Sequence, residues 1–235
     1  RGKFMLIAMP NIDGSFTCTL FLPFEGEISF ESITTEDEAR SFFRTYFPNV
    51  KKNIENLSQD FFKNPTSAMV TMKCYPWTYW DKVALVGDSA HAIVPFYGQG
   101  MNAGFEDIYV LNELMETHGD DWETIFRQYQ EKRKPNADAI AELSYRNFVE
   151  MSSKTADPKF LLQKKIEKWF SSKHPDKWIP VYSRVTFSER PYVEALAIGD
   201  RQEEIMQEIL KIPNIAEEWE TKEVENKILE LLEDS

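Results

Sequence analysis

The stretch VALVGDSAHAIVPFYGQGMNAGFED, residues 83–107, constrains the fold of this chain more than any other part of the sequence. It opens with a continuously apolar run, 83–86, which is typical of a strand buried on both faces of a parallel sheet. Apolar residues at helical spacing begin at Met101, and Gly119 marks the expected end of that helix. Four of the nine glycines lie in this stretch, so it predicts a strand, a glycine-rich loop and a helix in close approach.

A candidate ligand site lies where the predicted strand ends. Asp88 would stand at the carboxyl edge of a sheet, where open α/β folds bind ligands. An ionised Asp accepts hydrogen bonds, for which sugar or ribityl hydroxyls are suitable donors. The free N–H groups at the start of the next helix favour a partly negative group, such as the edge of a reduced flavin. A second interpretation stays open, in which Asp88 caps a turn and the glycines serve tight packing.

The rest of the chain changes from sheet-like to helical character. Residues 3–24 predict a β-hairpin or meander, 34–47 a capped helix, and 68–77 a further strand. Residues 122–151 predict helix with a break near Pro135. The fold class is therefore α/β or mixed α+β, with a sheet-rich start, a strand–loop–helix centre and a helical C-terminal half.

The composition argues against several classes of partner. A formal net charge of −12 disfavours nucleic acid or an anionic membrane surface. For the aromatic residues we therefore favour core or interface packing over a stacking platform for nucleic acid; these residues are Tyr75, Trp77, Tyr79 and Trp80. Two cysteines and three separated histidines give neither a disulfide framework nor zinc-ligand spacing, so no metal is expected. No apolar run reaches the roughly 18 residues of a membrane span. The acidic segment EVENKILELLEDS predicts an amphipathic docking helix.

Residues 83–107 resemble the second flavin-contacting motif of the aromatic-ring flavoprotein monooxygenases, since strand, Gly-Asp, Pro, Gly-x-Gly and helix occur in that order. PFYGQGMNAGFED is most similar to the kynurenine-hydroxylating members. Similarity extends to FMLIAMPN, SFTCTLFLPF, YRNFVEM and WIPVYSRVTFS, and it fades after about Asp200. The resemblance implies a Rossmann-like FAD-binding body, a β-sheet substrate domain and a helical C-terminal cap. It assigns 1–75 to the substrate domain, 76–135 to the C-terminal part of the FAD-binding domain and 136–235 to the cap.

The same resemblance implies that an N-terminal part of such a protein is absent from this chain. The family's Gly-x-Gly-x-x-Gly fingerprint, and the Arg and Tyr with which it grips the substrate, would precede Arg1. Relatives in eukaryotes end in a hydrophobic anchor, which the acidic end of this chain does not resemble. We therefore expect a soluble, cytoplasmic protein of bacterial type, or alternatively a mitochondrial outer-membrane protein whose anchor has been removed.

The resemblance also implies an activity. It is the FAD- and NADPH-dependent hydroxylation of an aromatic ring with O2, with L-kynurenine converted to 3-hydroxykynurenine in tryptophan degradation and NAD biosynthesis. Two alternatives remain, a related flavin hydroxylase with another aromatic substrate and a non-catalytic FAD-binding or interaction module.

The resemblance assigns roles to ten residues. The flavin would contact Asp88, Gly98, Gly100, Met101 and Asn102. The space between flavin and substrate would contain Pro95, Phe96 and Gln99, and the amino-acid end of the substrate would contact Asn147 and Tyr182. No side chain is expected to act as an acid or base. His91 could take such a role, but we favour a ring held near the loop by hydrogen bonds.

Overall fold

The computed structural model describes residues 4–155 and 157–233. The chain divides into two compact units, one up to Met69 and one from Val70 onward. The domain boundaries that we expect from the sequence, 1–75, 76–135 and 136–235, remain a prediction.

The first unit contains a β-hairpin followed by two helices. Strands β1 (Met5–Pro10) and β2 (Phe16–Phe21) pair antiparallel, which confirms the predicted hairpin. Helix α1 (Glu36–Tyr46) is followed by a 3-10 turn (Pro48–Asn53) and helix α2 (Ile54–Lys63). The core of this unit is apolar and consists chiefly of Ile33, Ala39, Phe42 and Phe43.

Helix α1 begins where the sequence predicts a helix. The Glu38 N–H donates to Thr35 Oγ1 at 3.3 Å, and the Thr35 N–H donates to the Glu38 carboxylate at 3.0 Å. This reciprocal pair is a capping box, which satisfies two backbone donors that a helix start leaves free. The Thr cap and early acidic residues were therefore sufficient to predict this helix from local sequence.

The second unit is mostly helical. It begins with the short strands β3 (Thr78–Tyr79) and β4 (Val83–Ala84). Its helices are α3 (Asp88–His91), α4 (Gly100–His118), α5 (Trp122–Val149), α6 (Pro158–Lys173), α7 (Val181–Phe187), α8 (Tyr192–Ile209), α9 (Ile215–Glu218) and α10 (Lys222–Glu233), with a π-helical turn (Glu150–Lys154) between α5 and α6. The end of α4 is the predicted one, because Gly119 follows it with a φ of +59°.

The parallel sheet that the apolar run predicted is not what the described residues form. Strand β4 is two residues long and pairs antiparallel with β3, and Val83 remains 53% exposed. Residues 68–77, also predicted as a strand, pair with no strand within the described residues. Their Met72 N–H instead donates to Ala92 O at 2.7 Å. Apolar sequence favours a buried strand only where neighbouring strands cover it, and the run itself does not specify those neighbours.

The predicted break near Pro135 is wrong, because α5 continues through it over 28 residues. A proline inside a helix removes one N–H bond to the carbonyl four residues earlier. Here the Asn136 side chain donates to Lys132 O at 3.0 Å, one position along the same turn. Ala137 and Ile140 are buried immediately after the proline, so tertiary packing holds the helix together.

The C-terminal helices enclose a separate apolar cluster. Ile166 and Phe170 of α6 and Ile205 of α8 pack against Val224 and Ile228 of α10. The predicted amphipathic docking helix is therefore confirmed, and it docks on its own chain. Within 4–155 and 157–233, no helix combines the length and apolar character needed to cross a membrane.

Candidate functional site

The turn after β4 carries the carboxylate of Asp88, which has no hydrogen-bond partner among the described residues. Gly87 has a φ of +60°, and Asp88 follows it as the exposed first residue of α3. The turn is closed by another side chain, because Ser89 Oγ donates to Val86 O at 2.8 Å. Among the described residues, no hydrogen bond or ion pair involves the Asp88 side chain. Its oxygens are therefore available to hydroxyl donors of a ligand.

Different structural requirements explain the glycines of this region. Gly87 and Gly98 have φ values of +60° and +67°, which other residues rarely adopt. A Cβ on Gly104 would lie 3.6 Å from the Gly87 Cα, so α4 passes close to the turn that follows β4. A Cβ on Gly100 would meet only Ile93 Cγ1, at 3.7 Å, an ordinary contact. The described residues therefore leave room for a side chain at Gly100.

Helix α4 starts at the end of this loop. Gln99 precedes it, and no side chain caps its first turn. Met101 and Asn102 are exposed. The N–H groups of a first turn have no acceptor within the helix, and the helix dipole places positive charge there. The start of α4 can therefore hold a partly negative group that approaches the loop.

The end of the quoted stretch contains a buried charge cluster that sequence reasoning missed. The carboxylate of Asp107 accepts from the Gly87 N–H at 2.9 Å and from Arg133 Nε at 2.7 Å, and it lies 2.6 Å from His91 Nε2. Arg133 and His91 are both buried. The ring of His91 is thus held by a hydrogen bond, as the sequence analysis favoured.

Of the three residues expected between flavin and substrate, only Pro95 is exposed. The ring of Phe96 is buried and packs against Phe148 of α5, with 4.9 Å between ring centroids. Gln99 is buried, and its Oε1 accepts from Tyr192 of α8 at 3.0 Å. The side chains of Phe96 and Gln99 therefore fasten the loop to α5 and α8.

Asn147 and Tyr182, expected at the substrate, both contact this loop. Asn147 Nδ2 donates to Phe96 O at 2.8 Å, which leaves its Oδ1 as the available acceptor. Tyr182 stacks on Tyr97, with centroids 5.6 Å apart and planes at 24°. Both residues line a cavity of about 850 Å³. The structure thus brings the predicted substrate residues next to the predicted flavin loop.

Tyr97 is a further residue of this region that the sequence analysis passed over, although it lies within PFYGQG. Burial, the negative charge of Glu150 and the neighbouring Tyr182 raise the pKa of Tyr97 to about 12. Its hydroxyl therefore stays protonated at neutral pH.

The cavity wall beyond Asn147 and Tyr182 carries charges of both signs. Its charged residues are Glu142, Arg146, Glu150, Lys154, Lys164, Glu167, Lys168 and Glu203. Lys164 Nζ lies 3.0 Å from Glu167 and 3.9 Å from Glu150. Burial lowers the pKa of Lys164, but these carboxylates outweigh it and raise the pKa above its ordinary value. A wall of this kind suits a ligand that carries both an ammonium and a carboxylate.

Known proteins resemble the chain along nearly all of its length. A family model for an FAD binding domain matches residues 48–144. A kynurenine 3-monooxygenase from Christiangramia forsetii is 72% identical over 232 residues, which are 99% of this chain and 52% of that protein. One from Dictyostelium discoideum is 47% identical over 223 residues, which are 90% of this chain and 48% of that protein.

By sequence, this chain is a relative of the kynurenine 3-monooxygenases. The resemblance predicted from the loop and its flanking segments is confirmed, but the expectation that it fades after about Asp200 is wrong, because the matches extend over 99% of the chain. The chain spans about half the length of the curated relatives that it matches.

Proposed function

We propose that this chain is part of an FAD- and NADPH-dependent monooxygenase that converts L-kynurenine to 3-hydroxykynurenine with O2. The observation that carries the proposal is the arrangement around the glycine loop. The free carboxylate of Asp88 precedes the loop that contains Gly98, and Gly100 is the first residue of the uncapped helix α4, inside the segment that matches the FAD binding domain. The names of the relatives supply the substrate.

The residues present fit FAD. Asp88 would accept hydrogen bonds from the ribityl hydroxyls. Gly98 and Gly100 would let the backbone approach the flat ring, since neither carries a Cβ. The N–H groups of Met101 and Asn102 at the start of α4 would stabilise negative charge on the flavin edge. When bound and reduced by NADPH, FAD supplies the activation of O2 for hydroxylation.

The amino-acid end of the substrate fits the neighbouring cavity. One amide N–H of Asn147 donates to Phe96 O, and its Oδ1 is free to accept, so we expect Oδ1 to accept from the substrate ammonium group. The hydroxyl of Tyr182 can donate to the carboxylate. The loop between flavin and substrate would contain Pro95, Phe96 and Gln99. The contacts of Phe96 with α5 and of Gln99 with α8 would fix the conformation of this loop. The residues of this chain would position the substrate and the flavin, exclude water and stabilise charge, without a side-chain acid or base.

The wider arrangement belongs to the same proposal. We infer that 1–75 contributes to a β-sheet substrate domain, 76–135 to a Rossmann-like FAD-binding domain and 136–235 to a helical cap. Because the relatives are about twice as long as the matched region, the dinucleotide fingerprint and the substrate-gripping Arg and Tyr would lie in a part that this chain does not include. A cytoplasmic setting accords with two cysteines that form no disulfide.

The direct test uses the protein at its natural length. We expect it to purify with the absorption bands of oxidised flavin, to oxidise NADPH faster when L-kynurenine is added, and to release 3-hydroxykynurenine detectable by mass. Flavin binding without any hydroxylated product would favour a non-catalytic FAD-binding module. Turnover of another aromatic acid but not of L-kynurenine would favour a related hydroxylase.

A paired variant tests the substrate contacts separately from the flavin. Tyr182→Phe should raise the KM for L-kynurenine while FAD content stays normal, because the ring remains stacked on Tyr97 and only the hydroxyl is lost. Tyr109→Phe is the matched control, since the Tyr109 hydroxyl bonds Glu113 on the exposed side of α4. Equal KM values in Tyr182→Phe and wild type would remove Tyr182 from the substrate site.

A further inference from the structure

Asp107 is a charged residue in a place where a helix normally buries an apolar one. It lies on α4 and is 0% exposed. Taking an ion out of water costs several kcal/mol unless its partners compensate. Replacing a whole buried ion pair by apolar side chains of similar volume is often neutral or stabilising. The buried carboxylate therefore calls for an explanation other than packing.

The contacts of Asp107 account for both of its oxygens. Oδ2 accepts from the Gly87 N–H and lies beside His91 Nε2, while Oδ1 accepts from Arg133 Nε. Arg133 is held in turn by Ala103 O at 3.1 Å and by Glu106 at 2.6 Å. Burial raises the pKa of Asp107, but the hydrogen bonds from His91, Arg133 and the Gly87 N–H outweigh it and lower the pKa below its ordinary value. The carboxylate is thus ionised at neutral pH.

Two of these contacts, those of Oδ2 with the Gly87 N–H and with His91 Nε2, reach the turn that carries Asp88. Gly87 immediately precedes Asp88, and His91 is the last residue of the same short helix, α3. One carboxylate therefore holds the backbone before Asp88 and a side chain one turn after it. Gly87 also approaches Gly104 of α4 closely, so the turn is tied to α4 on two sides.

We propose that Asp107 is a positioning residue for flavin binding: it fixes Gly87 and His91 so that the carboxylate of Asp88 faces the ribityl chain. Arg133 neutralises and orients Asp107 and does not touch the ligand. The inference rests on the proposed FAD site, and it adds a buried support to residues that contact the cofactor directly.

Asp107→Asn is the sharpest test, because an amide has one oxygen where the carboxylate has two. If that oxygen faces Gly87, the amide NH₂ faces the Arg133 donor, and if it faces Arg133, the NH₂ faces the Gly87 N–H. We expect the Kd for FAD to rise at least about tenfold, as for one lost hydrogen bond to a charged group. The visible circular dichroism of the flavin that still binds should also change.

Glu106→Gln is the matched control. It weakens a different carboxylate partner of Arg133 and does not touch Gly87 or His91. Its Kd for FAD should stay within about twofold of wild type, which is less than 0.5 kcal/mol. A purely structural Asp107 would lower the Tm of Asp107→Asn and leave both the Kd for FAD and the flavin dichroism unchanged, and that result overturns the proposal.

His91→Phe covers the case in which Asp107→Asn does not fold. The ring can remain against Trp77, 5.1 Å away between centroids, and only the bond to Asp107 is lost. We expect a weaker fall in FAD affinity, of a few fold, and wild-type affinity in this variant would contradict the proposal. Failure of the wild-type protein to bind FAD would instead refute the proposed function. Loss of FAD in Asp88→Ala, with wild-type affinity in Asp107→Asn and His91→Phe, would refute this inference alone.

Discussion

Two buried carboxylates of the second unit have similar partners and different tasks. Asp107 lies next to His91 and Arg133, and Glu225 lies next to His174 and two lysines, Lys173 and Lys222. Asp107 is 0% and Glu225 is 5% exposed. The Asp107 cluster also binds the backbone of the loop turn, whereas the Glu225 cluster joins side chains at the end of α6 to α10.

The exposure of the cations separates the two clusters. The side chain of Arg133 is 5% exposed, whereas those of Lys173 and Lys222 are 46% and 72% exposed. Water and salt screen the lysines, and one lysine can compensate for the loss of the other. Among the described residues, Arg133 is the one buried arginine or lysine that contacts Asp107. The comparison indicates that the cluster at the loop fixes a geometry, while the cluster at α10 adds replaceable support to an apolar interface.

Removing one cation from each cluster should give the largest difference between them. Arg133→Met leaves Asp107 buried without a cation, which typically costs about 3–5 kcal/mol of unfolding free energy. Lys173→Met leaves Glu225 with Lys222 and His174, so its loss of stability should be much smaller. Urea unfolding of both variants, compared with wild type, measures the difference.

Glu106→Gln serves as the control for this comparison. It removes the exposed partner of Arg133 and keeps the buried pair, so we expect a small loss of stability like that of Lys173→Met. If Arg133→Met proves no less stable than Lys173→Met, the distinction between a fixed and a replaceable cluster is wrong.

The sequence predicted those features that depend on neighbouring residues. The hairpin, the Thr35 cap of α1 and the Gly119 end of α4 all follow from short-range patterns, and the structure contains them. The glycine loop and its similarity to flavin-binding proteins could also be recognised from the sequence, because the motif is one continuous segment of the chain.

The features that sequence could not predict depend on distant contacts. Arg133 lies 26 residues from Asp107, in a basic run that is typical of a solvent-exposed helix face. The Gln99 bond to Tyr192 spans 93 residues. The apolar run at 83–86 gives no information about which strands pair with it, and the local penalty of Pro135 was outweighed by packing around α5. Local propensity is a weak guide wherever tertiary contacts compete with it.

Asp88 adds a third carboxylate to the comparison. It is exposed, and it follows Gly87, whose N–H donates to the buried Asp107. Asp88→Ala should weaken FAD binding by about 1.5–3 kcal/mol, the typical value of hydrogen bonds to a charged group. Stability without FAD should hardly change, because the described residues give this side chain no partner. Flavin titration and thermal unfolding of the flavin-free protein measure the two effects. Wild-type flavin affinity would show that Asp88 is not a ligand contact.

Substitutions at two glycines distinguish a conformational requirement of the loop backbone from a requirement of flavin binding. Gly98→Ala places a side chain at a φ of +67°, which should cost about 1–2 kcal/mol of stability with or without FAD. Gly100→Ala meets only an ordinary contact with Ile93, so the flavin-free protein should keep its Tm. We expect its bound flavin to be harder to reduce, because a Cβ would keep the start of α4 away from the ring.

The flavin midpoint potential and the Tm of the flavin-free protein test the two glycine variants. A lower potential in Gly100→Ala with an unchanged Tm would assign this glycine to the ligand. An unchanged potential and unchanged FAD affinity would mean that Gly100 has no ligand role.

The smallest effect that we expect concerns the pH dependence of the Glu225 cluster. Hydrogen bonds from Lys222, Lys173 and His174 lower the pKa of Glu225 to about 2, from an ordinary value of 4.5. Because this pKa is lower in the folded protein than in the unfolded chain, the stabilisation is fully present above pH 4.5 and is lost as the pH falls towards 2. The Tm difference between wild type and Glu225→Gln should therefore be constant near neutrality, shrink below pH 4.5 and vanish near pH 2. Glu223→Gln, an exposed change on the same helix, should show no such trend, and a difference for Glu225→Gln that stays constant down to pH 2 would mean that its charge does not stabilise α10.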